Sequence, residues 1–247
     1  MMKARKTAAS RWPSPKNGER QLASRASVGR KRPPTGSAAE LFPVVLKLEG
    51  RTCLVVGGGR IAESKIESLT RCGARVRVVA PQVTKKVREA AGAGQIAWEQ
   101  RRYRRSDLAG VFLVVAATCS EELHEEIFRQ ARRAGVLCNA VDEPERCDFY
   151  YPAVVRRGPL QIAVSTSGRS PSLAQRLRQE LELRFPAEYG AWTEKIGRAR
   201  RALLASGVSA EERKELLKKL SSAAAFETFR IRDRRRAQAV RAHKEPA

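Results

Sequence analysis

The residues most able to do chemistry sit where apolar runs end. TCLVV (52–56) is followed by GGGRIA, so Gly57, Gly59 and Ala62 fit the spacing G-x-G-x-x-G/A between a strand and a helix. In that pattern Gly57 permits a tight turn and Gly59 clears the approach of a pyrophosphate. Ala62 lets the helix pack closely, and the helix N-terminus offers free N–H groups to phosphate. The plain alternative is a glycine-rich turn with no ligand. Dinucleotide choice stays open: the next apolar run ends in Val79-Ala80-Pro81-Gln82 without a carboxylate for the ribose. Lys85 and Lys86 suit either a 2′-phosphate or an exposed helix face. Thr118 follows VFLVVAA, where its hydroxyl either meets the nicotinamide-ribose side of a cofactor or bonds the turn backbone.

Asp142, in NAVDEPERCDF, follows another apolar run and can serve as a general base or as an anchor for a ligand N–H or a metal ion. Glu143, Glu145 and Asp148 compete for that role, and a solvated acidic loop is the alternative to all four. VSTSGRSPSLAQRLR (164–178) places hydroxyls and Gly168 ahead of a helix whose first turns carry Arg176 and Arg178, a place suited to anionic groups or simply to a capped helix. His124 and His243 are the two histidines. His124, set among glutamates, is expected on the surface.

Alternating short apolar runs and amphipathic stretches must hold these residues. Strands are predicted over 52–56, 75–80, 95–98, 111–117 and 136–141, and helices over 61–72, 83–91 and 121–133. Ile61, Lys65, Ile66 and Leu69 are spaced for the partly buried face of the first helix. The order argues for an α/β fold with a Rossmann-like doubly wound parallel sheet, its strand carboxyl ends along one crevice. Two strands over 149–156 and 160–165 then form a hairpin around Arg157-Gly158-Pro159. A helix over 171–184 starts at the Ser170 cap and Pro171, and helices over 188–206 and 209–221 follow. This small α+β region buries little alone and is expected to pack on a second copy of itself.

The net charge is +23, and more than half of the surplus lies at the ends: ten Lys/Arg against one acid before Glu40, seven against two from Arg230 on. Both ends read as disordered basic arms. The first lacks the apolar core of a secretory signal but has the Arg- and Ser-rich, acid-poor composition of an organellar import segment, so import stands beside a cytoplasmic location. The last suits weak phosphate contact or plain solvation, and nucleic acid is not expected as the main partner. No apolar run is long enough to span a bilayer, so no membrane partner is expected. Five scattered cysteines show no CxxC pair or metal-ligand spacing and read as reduced thiols.

LFPVVLKLEGRTCLVVGGGRIAESK, GARVRVVAP, VVAAT, LCNAVD and FYYPAVVRRGPLQIAVSTSGRSPSLAQRLR together resemble the precorrin-2 dehydrogenase family, the dehydrogenase module of sirohaem synthesis, some of whose members also act as sirohydrochlorin ferrochelatases. The resemblance covers about residues 39–225. It implies an NAD-binding Rossmann domain over 39–148, a dimerisation region over 149–187 and a helical domain over 188–229, between basic arms at 1–38 and 230–247. It further implies a homodimer, NAD as hydride acceptor, precorrin-2 as substrate and, for a chelatase, Fe2+ as a second substrate. Cofactor contacts are carried onto Arg60, Ile61, Pro81 and Gln82 beside Gly57, Gly59 and Thr118. The essential aspartate falls on Asp142, which would also meet the metal. Thr166, Ser167 and Arg176 fall on the substrate side. Ser64, Cys119-Ser120 and Ser167 depart from the family pattern, and Ser167, in place of a usual glycine, would narrow the pocket. A reading of another class is a non-catalytic NAD-sensing regulatory module whose basic tails contact nucleic acid or a partner.

Overall fold

The computed structural model describes residues 40–242, with side chains through Asp233 and at Arg235. The predicted N-terminal arm and His243 lie outside the described residues. Five parallel strands form the main sheet: β1 (Thr52–Val56), β2 (Arg75–Val79), β3 (Ala97–Glu99), β4 (Leu113–Ala116) and β5 (Leu137–Ala140). Their order is β3-β2-β1-β4-β5. The chain runs outward from β1 through β2 to β3, then returns to the other side of β1 at β4. That reversal makes the β1/β4 boundary the switch point where ligands of such sheets bind.

Both faces of the sheet are covered, which is why its strands read as continuous apolar runs. Cys53, Val55, Val76 and Val78 pack with Ala62, Ile66 and Leu69 of α1 (Arg60–Arg71) and with Val87 of α2 (Lys85–Gly92). On the other face Leu54, Val56, Val114 and Cys138 meet Ile127 and Ala131 of α3 (Glu121–Ala134). Burying an aliphatic side chain of this size contributes about 1.5–3 kcal/mol. The Ser120 hydroxyl accepts from Leu123 N–H to start α3, and Gly135, at φ +68°, ends it in the left-handed region that glycine adopts freely. Ile61 departs from its expected half-buried place: it is 50% exposed, because its position in the first turn of α1 lies beyond the edge of the sheet.

The predicted hairpin forms as β6 (Ala153–Arg157) and β7 (Leu160–Val164), an antiparallel pair separate from the main sheet. Its first strand starts later than expected, since Phe149 and Tyr151 pack edge to face in the approach instead, with ring centroids 5.6 Å apart. Ser170 accepts from Leu173 N–H and Pro171 opens α4 (Pro171–Arg184), as expected. Next come α5 (Glu188–Ala205), α6 (Ala210–Leu220) and α7 (Ala223–Ala242). Gly190 of α5 lies so close to the hairpin turn that a Cβ there would sit 3.2 Å from Arg157 C. Tyr189, Trp192 and Phe226 join α5 to α7, with Tyr189 and Phe226 centroids 4.0 Å apart. The expected structureless tail from Arg230 is therefore corrected: α7 runs through it to Ala242. Ala, Arg and Gln are strong helix formers, and the turn already nucleated at Ala223 extends into them. Among the described residues no helix is long and apolar enough to cross a membrane.

Candidate functional site

Backbone bonds past the strand ends fix the candidate residues side by side. Gly57 N–H donates to Val79 O (3.1 Å), Ala117 N–H to Val56 O (2.8 Å) and Val141 N–H to Ala116 O (2.9 Å). Gly57, Thr118 and Asp142 thus stand on the carboxyl edges of β1, β4 and β5. With parallel strands about 4.8 Å apart, the Gly57 and Asp142 columns are separated by roughly 10 Å.

Each glycine of the first turn has a different task. Gly57 has φ +121°, and a Cβ on it would lie 2.1 Å from Ala117 O, so only glycine fits. A Cβ on Gly58 would lie 2.1 Å from Gln82 O. A Cβ on Gly59 would meet nothing within 4 Å. Gly57 and Gly58 therefore let β1 approach the ends of β4 and β2, whereas Gly59 leaves open surface at the start of α1. No side chain caps that helix, leaving its first amides available to an anion. Open backbone at Gly59, an uncapped dipole and exposed Arg60 and Ile61 fit a dinucleotide pyrophosphate. Pro81 and Gln82 are exposed at the end of β2, beside Gly58. The fingerprint spacing passes over Gly58, whose constraint comes from a chain segment distant in sequence.

The next loop is tied to α1 by Glu63, which accepts from Thr84 Oγ1 (2.5 Å) and pairs with Lys86 (3.1 Å). The Thr84 bond and then Lys86 hold the Glu63 carboxyl below its ordinary pKa, and Glu63 raises that of Lys86. Lys85 lies 3.8 Å from Glu89. Both lysines considered for a 2′-phosphate are thus engaged by carboxylates of this chain. The Thr118 hydroxyl accepts from Ser120 N–H (3.3 Å), serving its own turn.

The surface expectation for His124 is overturned: it is 3% exposed. Its Nε2 accepts from Thr118 N–H (3.1 Å) and its Nδ1 lies 2.8 Å from Glu143 Oε1. α3 turns this position toward the β4 and β5 ends, and the two polar partners compensate burial among apolar neighbours.

The four acids considered differ in their partners, and Asp142 and Glu143 are the two that line one cavity. Glu143 is held by His124 and Arg146; burial works against its ionisation, but those bonds bring its pKa below the ordinary value. Asp148 accepts from Cys138 N–H (2.9 Å). Glu145 is exposed on the outer turn. Asp142 is exposed, with no hydrogen-bond partner among the described residues, and its backbone has φ +64°. Asp tolerates that left-handed region at some cost, a cost that accumulates at functional positions.

Asp142 opens onto a cavity of about 290 Å³ whose wall includes Lys65, Tyr151, Thr166, Gly168 and Pro171. Lys65 is its one cation among the described residues, with Nζ 3.7 Å from the Tyr151 ring centroid. Burial lowers the Lys65 pKa, partly offset by the charges of Asp142 and Cys147. The spacing of α1 put Lys65 on a half-buried face without a role; a lysine on an apolar stripe was the available signal. Thr166 lies in the wall, its hydroxyl accepting from Ser170 N–H (3.1 Å) and donating to Ser170 O (3.0 Å). Ser167 has φ +54° and is exposed outside the wall, so it does not narrow the cavity. Arg176 is also outside it, paired with Glu180 at 2.5 Å one helical turn on. Among the described residues no three His, Cys, Asp or Glu side chains gather as a metal site.

Residues 44–153 match a family described as putative NAD(P)-binding, and residues 157–183 one described as sirohaem biosynthesis protein, central. A sirohaem synthase of Ectopseudomonas mendocina (strain ymp) is 44% identical over 151 residues, 61% of this chain and 32% of that protein. Siroheme synthase 1 of Serratia proteamaculans (strain 568) is 40% identical over 161 residues, 65% of this chain and 34% of that protein. The chain spans about a third of the length of these curated relatives. The solved structure of SirC, a precorrin-2 dehydrogenase, aligns with TM-score 0.65 and 29% identity, covering 78% of this chain and 98% of that one.

Proposed function

Because this chain belongs to the dehydrogenase-module family of sirohaem synthesis, we propose that it oxidises precorrin-2 to sirohydrochlorin, passing hydride to NAD+ and releasing a proton. The observation that carries the reading is Asp142. It is a carboxylate with no hydrogen-bond partner among the described residues, on a left-handed turn, two strands from the open glycine turn and facing a cavity with one half-buried cation.

NAD would supply the hydride acceptor when bound. Gly59 and the first amides of α1 would hold its pyrophosphate, with Arg60, Ile61, Pro81, Gln82 and Thr118 around it. The cavity is at the small end of ligand pockets, so the macrocycle would enter by an edge and extend outward. Lys65 would pair with a peripheral carboxylate, while Thr166 and Gly168 bound the opposite side. Asp142 would take the ring proton, free of competing donors. Holding ring and acceptor together at the carboxyl ends of β1, β4 and β5 would supply much of the catalysis by orientation. Iron insertion, as a second activity, would rely on the ring nitrogens of the product with Asp142, since Glu143, the other carboxylate lining the cavity, is engaged by His124 and Arg146. A homodimer is supported by the two-stranded β6–β7 sheet and by Leu183 of α4, 87% exposed.

The test is NADH absorbance on adding precorrin-2 and NAD+ to the protein, followed by Fe2+ to look for the sirohaem spectrum. Asp142→Asn should lose about 100-fold or more in turnover while binding NADH normally. Normal turnover in that variant would overturn the role given to Asp142.

A further inference from the structure

The chemistry above leaves His124 unused, although it is buried and both its nitrogens are engaged. We propose that His124 is a positioning residue, a strut that locks the Thr118 amide on the cofactor side of the site to the loop carrying Asp142. This rests on the reading of the site given above.

Among the described residues Thr118 N–H has no acceptor other than Nε2, so that nitrogen is the unprotonated one. The ring proton is then on Nδ1 and is donated to Glu143 Oε1. Glu143 also accepts from Arg146, whose Nε reaches Glu125 on α3 (2.7 Å). The carboxylate next in sequence to Asp142 is thereby fixed on two sides. Asp142 has no such hold on its own side chain, and its direction depends on how the backbone of this turn is pinned.

A residue that only filled space here would need no polar ends, and Leu or Met would complete the α3 face. His124 instead spends each nitrogen on a different strand end: the segment after β4 and the segment after β5. These are the two segments whose relative placement sets the distance between a nicotinamide and a proton acceptor. A shift at Thr118 is passed to Glu143 through one rigid ring.

The experiment uses the full chain and the variants His124→Phe, His124→Gln, Glu143→Leu and the double variant His124→Phe/Glu143→Leu. Turnover, NADH affinity by fluorescence and thermal melts are recorded for each, with 15N spectra of the wild-type His124 imidazole, told from His243 by its absence in His124→Gln. His124→Phe and Glu143→Leu should each lower kcat by about tenfold or more, the loss of a buried hydrogen bond, with NADH affinity falling less than threefold, roughly. The double variant should be no worse than the poorer single one, and His124→Gln should recover part of the loss. The 15N spectrum should show the Nδ1–H tautomer and shift when NADH binds. Multiplying effects on kcat, or a His124→Phe protein that melts earlier yet turns over normally, would overturn the strut. If the wild type fails to oxidise precorrin-2, the functional reading falls by itself. The 15N response then decides the strut alone: a shift on NADH binding upholds it and no shift overturns it.

Discussion

Replacing Gly58 and Gly59 separately by alanine should divide the glycine turn into a structural half and a ligand half. At Gly58 the new Cβ would lie 2.1 Å from Gln82 O and 2.8 Å from Val83 Cα, both backbone atoms. Ordinary contact needs more than 1 Å of extra separation, so the β2–α2 loop must shift and its bond from Thr84 N–H to Gly58 O (3.0 Å) must bend. Overpacking against backbone costs about 2–3 kcal/mol, or roughly 5–10 °C in a domain of this size. At Gly59 the Cβ meets nothing within 4 Å, and φ −77° with ψ −175° is open to alanine. The loss there is that of a poorer helix cap, below about 1 kcal/mol. Gly59→Ala should nonetheless weaken NADH binding at least about tenfold, or about 1.4 kcal/mol, by filling the space left for phosphate. Urea melts of the free proteins and NADH fluorescence titrations separate the two effects. The reasoning fails if Gly59→Ala destabilises the free protein as much as Gly58→Ala does, or leaves NADH affinity unchanged.

Lys65→Met should raise KM for precorrin-2 about tenfold with kcat little changed, as expected for a lost carboxylate contact; a fall in kcat at constant KM would contradict that role. Burial lowers the folded-state pKa of Lys65, so the unfolded chain binds more protons over the alkaline range just below the ordinary lysine value. Wild-type stability should therefore gain a rising component there, and Lys65→Met should lack it in urea melts taken across that range. Asp107, 2% exposed, is held by Arg101, Arg77 and Arg104 N–H (2.8 Å), which outweigh burial and lower its pKa. Asp107→Asn should cost about 1.5–3 kcal/mol at neutral pH, the loss of a buried charged acceptor for Arg101 and Arg104 N–H, since Arg77 and Arg101 both keep Glu99. The wild-type share should disappear as pH falls through the depressed pKa of Asp107, so equal loss at acid and neutral pH would refute the ionic account. Glu63→Gln should free Lys86 and shift relative affinity from NADH toward NADPH by about threefold to tenfold, within reach of one exposed cation; an unchanged ratio in paired titrations would show that Lys86 lies away from the 2′ position.

The α/β fold was legible because its evidence is local. VVGGG and the apolar runs ending near Ala80, Ala116 and Ala140 mark strands covered on both faces, and Gly73 and Gly135 mark helix ends. Asp142 was legible as a carboxylate just past a strand, though its choice over Glu143 and Asp148 needed their partners, His124 and Cys138 N–H, to be seen. His124 was not legible. Its neighbours Glu121, Glu122, Glu125 and Glu126 give the local sequence a solvated look, while its own position shares the α3 face of Ile127 and Ala131. Lys65 and Gly58 were hidden for a related reason. Each is defined by contact with a distant segment, Tyr151 in one case and Gln82 in the other. At the C-terminal end the dense charge suggests a solvated arm, whereas the helix propensity of Ala, Arg and Gln prevails in α7.

Backbone strain adds a reason to place the chemistry at this cavity. Among the described residues two non-glycine positions, Asp142 and Ser167, have left-handed φ, at +64° and +54°. They lie in two segments that share one cavity wall, the turn after β5 and the connection from β7 to α4. Such conformations cost of order 1 kcal/mol each and persist only where surrounding bonds fix them. Glu143 N–H to Ala140 O (3.2 Å) does this for the first, and Ser167 N–H to Ser165 Oγ with Arg169 N–H to Thr166 O does it for the second. The two turns point different groups at the cavity: a carboxylate from one, and Thr166 with a bare Gly168 from the other. A turn relaxed into extended geometry would carry Asp142 off the edge shared with Gly57 and Thr118. The bonds that hold this turn therefore keep the Asp142 carboxylate at the sheet edge it shares with Gly57 and Thr118.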